Sequence, residues 1–344
     1  MTDLQVCEQA IFEEISFSCL LPLKKRDDHS QGVGKKKVIL IAGPTGSGKT
    51  ELSLILAECL NKCEIISTDS MQVYRGMDIG TAKPSLLEQA SVPHHLIDIR
   101  HITETFNVVD FYYEAQECIK AILSRGNIPI LVGGAGFYFR ALLYGPPSGP
   151  PSIPQVRCAL EHELKTKGVD ALFERLAKLD PTYTATITRG DKHKIIRALE
   201  IITLTREQVS SFSWKERAPP SNYDYRCWFV FRPRDVLYKR IEDRCEKMLE
   251  SGLLEEVKGL IHEGLKQNLS ACQAIGYKQC LDFLDTAQTE EEYKKFVAAF
   301  KQASRRYAKK QFTWFKKEES FRWLNIDLHD FETAAEIIIR DYLK

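Results

Sequence analysis

The sequence predicts an α/β fold: a P-loop parallel-sheet core with an inserted helical domain and a helical C-terminal part. Short apolar runs alternate with helix-patterned segments over the first half of the chain, as buried parallel strands and their crossovers do. A glycine-rich string follows the first of these runs and opens a helix. A proline-rich break then separates the alternating part from a long stretch that reads almost wholly helical.

At 344 residues the chain exceeds what one hydrophobic core usually organises, so a large domain with a smaller lobe is expected. Residues 1–37 read as a loosely ordered extension. Their apolar stretch at 11–23 is broken by Glu13 and Glu14, and with Asp3 and Glu8 these acids oppose both a secretory signal and an organelle transit peptide. Residues 38–150 form the expected core. Val38-Ile39-Leu40-Ile41 is its first buried strand, and the next helix carries Leu52, Ile55, Leu56 and Leu60 on one face. Residues 64–67 and 95–97 read as further strands. Residues 108–125 read as a helix capped by Gly126, ahead of a buried strand at 128–132. The prolines at 146, 147, 150, 151 and 154 stop both helix and central strand. Residues 157–205 are expected to be helical within a lobe spanning 151–215, and 217–225 to be loop. Strand resumes at 226–231, and the part from 216 to 344 rejoins the core, mostly helical with a last strand near 321–326.

Composition sets few limits on function. Hydrophobic residues at 44% and charged residues at 28% are ordinary for a globular protein. The net charge of +1 does not itself point to nucleic acid. No apolar run approaches the ~18 residues that span a bilayer, so no membrane association is expected. The ten cysteines form no CxxC or Cys/His finger pattern and read as buried thiols of a reducing, cytoplasmic compartment. Charge is clustered locally, however: residues 294–317 hold nine Lys or Arg and no Asp or Glu. Phe296, Phe300, Ala303 and Tyr307 recur there at helical spacing, which gives a core-facing stripe with basic flanks suited to phosphate contact.

Gly43-Pro44-Thr45-Gly46-Ser47-Gly48-Lys49-Thr50 fits G-x-x-x-x-G-K-[ST] between a strand and a helix. Glycines let backbone N–H groups surround phosphate oxygens, Lys49 adds a point charge, and Thr50 offers a hydroxyl to Mg²⁺. Nucleotide hydrolysis is poorly supported. The buried strand ending Leu131-Val132-Gly133-Gly134 carries no acid for the metal, and the nearest string to a base-reading Asn-Lys-x-Asp is Asn61-Lys62-Cys63-Glu64. Asp69 follows the second strand, at the sheet edge where open α/β folds place ligands. Its position allows a proton acceptor, a Mg²⁺ ligand or a turn cap. Arg240 and Arg244, four apart on one helix face, form either a clamp on phosphate or a solvated face paired with Glu242, Asp243 or Glu246.

Seven strings, in order, resemble the tRNA dimethylallyltransferase (tRNA isopentenyltransferase) family: Gly43-Pro44-Thr45; Asp69-Ser70-Met71-Gln72-Val73-Tyr74 with Asp78-Ile79-Gly80-Thr81-Ala82-Lys83; Pro93-His94-His95-Leu96-Ile97-Asp98; Gly133-Gly134; Arg197-Ala198-Leu199-Glu200; Ile275-Gly276-Tyr277; and the run from Tyr307 to Phe315. The resemblance covers roughly residues 38–315. It implies transfer of a dimethylallyl group from dimethylallyl diphosphate to the adenosine beside the tRNA anticodon, with Mg²⁺ and without ATP as a reactant. By the family pattern Asp69 takes the proton from the adenine amine, while Thr50 and Arg244 help the diphosphate leave. The same pattern implies that Gly43, Pro44, Thr45, Gly46, Ser47, Gly48, Lys49 and Thr50 cradle the diphosphate. It implies tRNA contacts at Asp69, Ser70, Met71, Gln72, Ala135 and Arg157, and along His193-Lys194-Ile195-Ile196-Arg197. A monomer is expected. The chain departs from the family at Ala135, where Thr is usual and a hydroxyl is therefore missing, and at Lys194, where Arg is common and the planar fork is lost. The rival readings are a prenyltransferase acting on free AMP or ADP, a small-molecule kinase that uses ATP, and a non-catalytic RNA-binding protein. The inserted lobe and basic helix oppose the first, the absent strand-end acid the second, and Lys49, Thr50 and Asp69 together the third.

Overall fold

The computed structural model describes residues 35–147, 149–212 and 222–344. The expected N-terminal extension as far as residue 34, and the expected loop at 217–221, lie outside the described residues. The strands are β1 (Lys36–Ala42), β2 (Cys63–Thr68), β3 (His94–His95), β4 (Ile128–Gly133), β5 (Tyr223–Phe231) and β6 (Arg322–Asn325). The helices are α1 (Lys49–Leu60), α2 (Leu86–Ser91), α3 (Val108–Ser124), α4 (Gly136–Tyr144), α5 (Pro154–Leu179), α6 (Pro181–Thr184), α7 (Lys192–Thr205), α8 (Arg234–Glu250), α9 (Leu253–His262), α10 (Tyr277–Leu284), α11 (Glu290–Phe315) and α12 (Phe331–Leu343). The strands form one sheet in the order β3-β2-β4-β1-β5-β6, and every pairing is parallel.

A parallel sheet must be covered on both faces, and the residue pattern of β5 shows how this is done. Trp228 and Val230 point into a core with Ile39, Ile41, Leu52, Leu56, Ala334 and Ile338, closed by α1 and α12. Phe229, of opposite parity, meets Trp323 at 4.2 Å and Phe315 at 4.8 Å between ring centroids, so α11 closes the other face. α11 begins where it does because of a reciprocal cap. Thr289 Oγ1 accepts the Glu292 N–H at 3.3 Å, and the Glu292 carboxylate accepts the Thr289 N–H at 2.9 Å.

The described residues fall into two compact units, one of residues 35–142 with 222–344 and one that begins at Leu143 and runs to residue 212. The sheet belongs to the first. The second has its own core of Leu160, Leu172, Leu176, Ile195, Ile196 and Leu199, and α5 is interrupted at Gly168, which has φ 79. This unit starts earlier than residue 151 because the proline-rich segment is tied to α7. Buried Glu200 accepts from Ser152 Oγ at 2.6 Å and the Ile153 N–H at 2.9 Å, and Arg197 donates to the Pro150 carbonyl.

Three expectations need correction. Strand β5 starts at Tyr223, inside the expected loop, because Tyr223, Asp224 and Tyr225 register against Lys36, Lys37 and Val38 of β1. The third strand is His94–His95 rather than 95–97, since Leu96 takes φ 60 and turns the chain out of the sheet. The basic charges of α11 are not unopposed. Lys294 and Lys295 pair with Glu290 and Glu291 at 2.7 and 2.6 Å, and Lys301 and Arg305 reach Glu246 and Glu242 of α8, each at 2.5 Å. Among the described residues, no helix is long and apolar enough to cross a membrane.

The N-terminal side of the sheet is held by one buried acid. Glu64 of β2 is 4% exposed. It accepts from Arg125 Nη2 at 2.7 Å and Asn127 Nδ2 at 2.7 Å, and His95 Nε2 lies 2.6 Å away. Burial alone would raise its pKa, but these partners hold it at about 2. A depressed folded pKa gives stability that is present above the ordinary carboxylate range, about 4.3 for Glu, and that is lost as pH falls towards about 2. Glu64→Gln should therefore lower the unfolding free energy at neutral pH by about 1–3 kcal/mol, with a smaller difference in acid. Urea unfolding of both proteins at neutral and acidic pH checks this, and an equal difference at both would contradict it.

Candidate functional site

Three strands end together. Ala42 of β1 and Thr68 of β2 both register against Gly133 of β4, so the residues after each strand emerge on one carboxyl edge. After β1 the chain makes the turn 43–48, in which Gly48 holds φ 101, a left-handed backbone that glycine adopts without strain. Gly43 has no room for a side chain, because a Cβ there would lie 2.3 Å from the Val230 carbonyl oxygen. After β2 comes Asp69, and after β4 comes Gly134. With α8, α10 and α11 these residues enclose a cavity of about 430 Å³.

One end of the cavity is cationic. Lys49, Thr50, Arg244 and Asp69 all line it. Lys49 Nζ donates to the Pro44 carbonyl at 2.8 Å. Burial pushes the Lys49 pKa down to about 7, the Arg244 charge pushes it the same way, and Asp69 opposes them. Arg244 is likewise lowered by burial against the pull of Asp69. Two half-buried cations facing one carboxylate leave an excess of positive charge, and the N-terminus of α1 adds to it, so the cavity suits a polyanion. Arg240 Nε donates to the Gly46 carbonyl at 3.0 Å and so buttresses the turn from outside. Of the acids that would have made Arg240 and Arg244 a solvated face, Glu242 and Glu246 pair with α11 instead.

Asp69 does two things at once. Its Oδ1 accepts the Met71 N–H at 2.8 Å, which caps the turn, while the residue also faces the cavity. Ser70, Met71 and Gln72 line the cavity beside it. Gln72 is held by Ser67 Oγ, which donates to its Oε1 at 2.8 Å. Facing them, Thr81 and Ala82 are fixed from below by Glu256, whose carboxylate accepts from the Ile79 N–H at 2.6 Å and Tyr277 Oη at 2.5 Å. Gln311 of α11 joins Thr45 to Gly134. Sequence reasoning did not single out Glu256, an isolated polar residue in an amphipathic helix, and took in Gln311 only as a member of the run from Tyr307 to Phe315, with no role of its own. Ile241, Met248, Ile275 and Phe300 add apolar lining to the cavity.

Other expected residues are placed differently. Ala135 does not line the cavity; its N–H points to the Thr68 carbonyl at 3.4 Å. Pro44, Gly46, Ser47 and Gly48 shape the turn, with Gly46 and Gly48 facing a second hollow beside Arg240. In the second unit, His193 and Lys194 are exposed, and Lys194 lies 3.4 Å from Asp191. Ile195 and Ile196 are core side chains, 0% and 3% exposed, so they orient α7 rather than meet a partner. Arg197 is turned onto Glu200 at 2.7 Å, and Arg157 pairs with Glu161 at 3.0 Å.

Among the described residues, no cluster of three or more His, Cys, Asp or Glu could cage a metal ion. Mg²⁺ does not need one, since it commonly takes one or two protein oxygens and completes its shell with phosphate and water. The Thr50 hydroxyl at the cationic end, with Asp69 in the same cavity, fits that requirement.

Comparison with known proteins agrees with this geometry. A family profile described as IPP transferase matches residues 72–318. The chain is 55% identical over 336 residues to a tRNA dimethylallyltransferase of Protochlamydia amoebophila, covering 98% of this chain and 97% of that one. It is 51% identical to one from Chlamydia pneumoniae, covering 90% of each. Among solved structures it resembles a tRNA isopentenylpyrophosphate transferase from Bacillus halodurans, at 41% identity and a TM-score of 0.65, covering 90% of this chain and 97% of that one. It also resembles a eukaryotic dimethylallyltransferase acting on tRNA, at 30% identity and a TM-score of 0.72, covering 88% of this chain and 77% of that one.

Inorganic diphosphate supplied with Mg²⁺ should bind at about pH 8 with uptake of up to about one proton, because an anion beside Lys49 raises a pKa that burial has lowered to about 7. Calorimetry in two buffers of different ionisation heat reads the proton count, once that of diphosphate itself is subtracted. Tight binding without uptake would contradict the placement of the anion beside Lys49.

Proposed function

The chain belongs to the tRNA dimethylallyltransferase family, and from that premise we propose that it transfers a dimethylallyl group from dimethylallyl diphosphate to the N6 amine of the adenosine beside the tRNA anticodon, releasing diphosphate. The observation that carries this reading is the meeting of Lys49, Thr50 and Arg244 with Asp69 in one cavity that also has apolar lining from Met248, Ile275 and Phe300.

The diphosphate sits in the turn 43–50, where backbone N–H groups, Lys49 and Arg244 meet the charge that grows as the bond from C1 to oxygen breaks. Charge stabilisation of this kind, preorganised and shielded from water, commonly contributes more to catalysis than any other single effect. Thr50 would hold Mg²⁺, which would supply further neutralisation of the leaving group. The dimethylallyl group rests among the apolar lining residues, which include Met248, Ile275 and Phe300. The adenine leaves its stack to enter at the Gly133-Gly134 edge. Its N6 forms the bond to C1 as diphosphate departs, and the N6 proton passes to Asp69. The Met71 N–H fixes that carboxylate, so its direction is set before the acceptor arrives. Exposed His193 and Lys194, with Arg157, suit the second unit to the anticodon arm. Arg306, Lys310, Lys316 and Lys317 are exposed on and just after α11 and add phosphate contacts. The described cysteines are all free thiols, in keeping with a reducing compartment such as the cytoplasm.

Asp69→Asn separates the three roles open to this residue. Asn caps turns about as well as Asp but takes no proton, so a general base predicts a single-turnover rate lower by about 10²–10⁴-fold with tRNA affinity little changed. A metal ligand predicts partial recovery at high Mg²⁺ with weaker diphosphate binding. Near-wild-type turnover would refute the assignment.

A further inference from the structure

Gln311 is 5% exposed on α11, and the two ends of its amide are committed in opposite senses. Its Oε1 accepts the Thr45 N–H at 3.0 Å, and its Nε2 donates to the Gly134 carbonyl at 3.0 Å. Thr45 belongs to the turn after β1 and Gly134 to the turn after β4. One side chain therefore spans the two strand ends between which the cavity opens.

The fit is tight. A Cβ on Gly134 would lie 2.1 Å from Gln311 Nε2, so this turn stays close to the helix only because glycine stands there. The partners also dictate the chemistry of the bridge. The Thr45 N–H can only donate and the Gly134 carbonyl can only accept, so the residue between them must present both an acceptor and a donor at that length. A carboxylate lacks the donor, an alkyl chain lacks both, and Asn is one methylene short. Each leaves a buried backbone group without its partner.

We infer that Gln311 is a positioning residue for the transfer reaction: by holding Thr45 and Gly134 together it sets the diphosphate cradle against the edge where the acceptor base enters. The inference rests on the functional reading above, in which these two turns hold the two substrates. Reacting atoms must approach within about 3–3.5 Å, and a misplacement of about 1 Å can cost about 10²-fold in rate. A link between the two turns is therefore worth more to the rate than to the binding of either substrate. Were Gln311 only a staple for α11, its loss would lower stability and leave the folded enzyme unchanged.

Gln311→Met keeps the volume and removes both hydrogen bonds; Gln311→Asn keeps an amide that cannot span the gap. For each, the affinity for inorganic diphosphate with Mg²⁺, the single-turnover rate at saturating dimethylallyl diphosphate and tRNA, and the urea midpoint are measured. The rate should fall by about 10- to 100-fold, and diphosphate affinity by a smaller factor of about 3–10. Phe312→Leu serves as control: its ring packs on Phe229 at 5.6 Å, outside the cavity, so it should lower the urea midpoint and spare both other quantities. If Gln311→Met does not fold, Gln311→Asn reads the same quantities. Variants with wild-type rate and diphosphate affinity, altered only in stability, would overturn the inference. If the wild type transfers no prenyl group, the functional reading fails by itself, and the diphosphate affinities still decide whether Gln311 positions the cradle.

Discussion

Lys49 and Arg244 share one cavity in which Asp69 is the acid facing both. That imbalance is the constraint on which the rest of the structure depends. Like charges brought together away from water resist burial, as the lowered pKa of Lys49 records. They stay together because separate elements hold them: β1 and the turn 43–48 deliver Lys49, while α8 delivers Arg244. The acids of α8 at 242 and 246 are drawn off to Arg305 and Lys301 of α11. Charge excess at the site is thus preserved by ion pairs made elsewhere. In the proposed reaction this excess would serve a diphosphate leaving group, whose charge grows as its bond breaks.

The shared edge of the sheet turns this charge into chemistry. Because Ala42 and Thr68 both register against Gly133, the anion cradle, the carboxylate and the glycine turn are neighbours without any long loop to place them. The loop carrying Thr81 has no strand of its own to fix it, and it is held by the Glu256 carboxylate on its backbone N–H groups. α11 completes the arrangement. Its aromatic stripe closes one face of the sheet through Phe312 and Phe315, while Gln311 and Tyr307 on the same helix face the cavity.

What the sequence revealed follows from the range of each interaction. The glycine-rich turn and Asp69 were legible because each is a local string beside an apolar run, and a strand end fixes the edge on which it emerges. The start of β5 was hidden because Tyr223, Asp224 and Tyr225 look like loop until Lys36, Lys37 and Val38 are set beside them. Part of the neutralisation of α11 was hidden for the same reason: Lys301 and Arg305 find partners more than fifty residues away, whereas the pairs of Lys294 with Glu290 and Lys295 with Glu291 have ordinary i,i+4 spacing and lay open in the sequence. Expected contacts at Ile195 and Ile196 came from a motif that mixes exposed and core positions, and burial separates the two. Glu256 acts through groups far off in sequence and no pattern in its own helix marks it; Gln311 lies in the run from Tyr307 to Phe315, but its two partners are more than 170 residues away, so the string did not disclose its role.

The central claim is that the glycine-rich turn binds the diphosphate of a prenyl donor and not a nucleoside triphosphate. It is tested most directly by incubating the purified protein with Mg²⁺, labelled dimethylallyl diphosphate and tRNA, with no ATP present. The account predicts label on the adenosine beside the anticodon, at a rate that added ATP does not increase. A strict requirement for ATP, or label appearing on free AMP and not on tRNA, would contradict it.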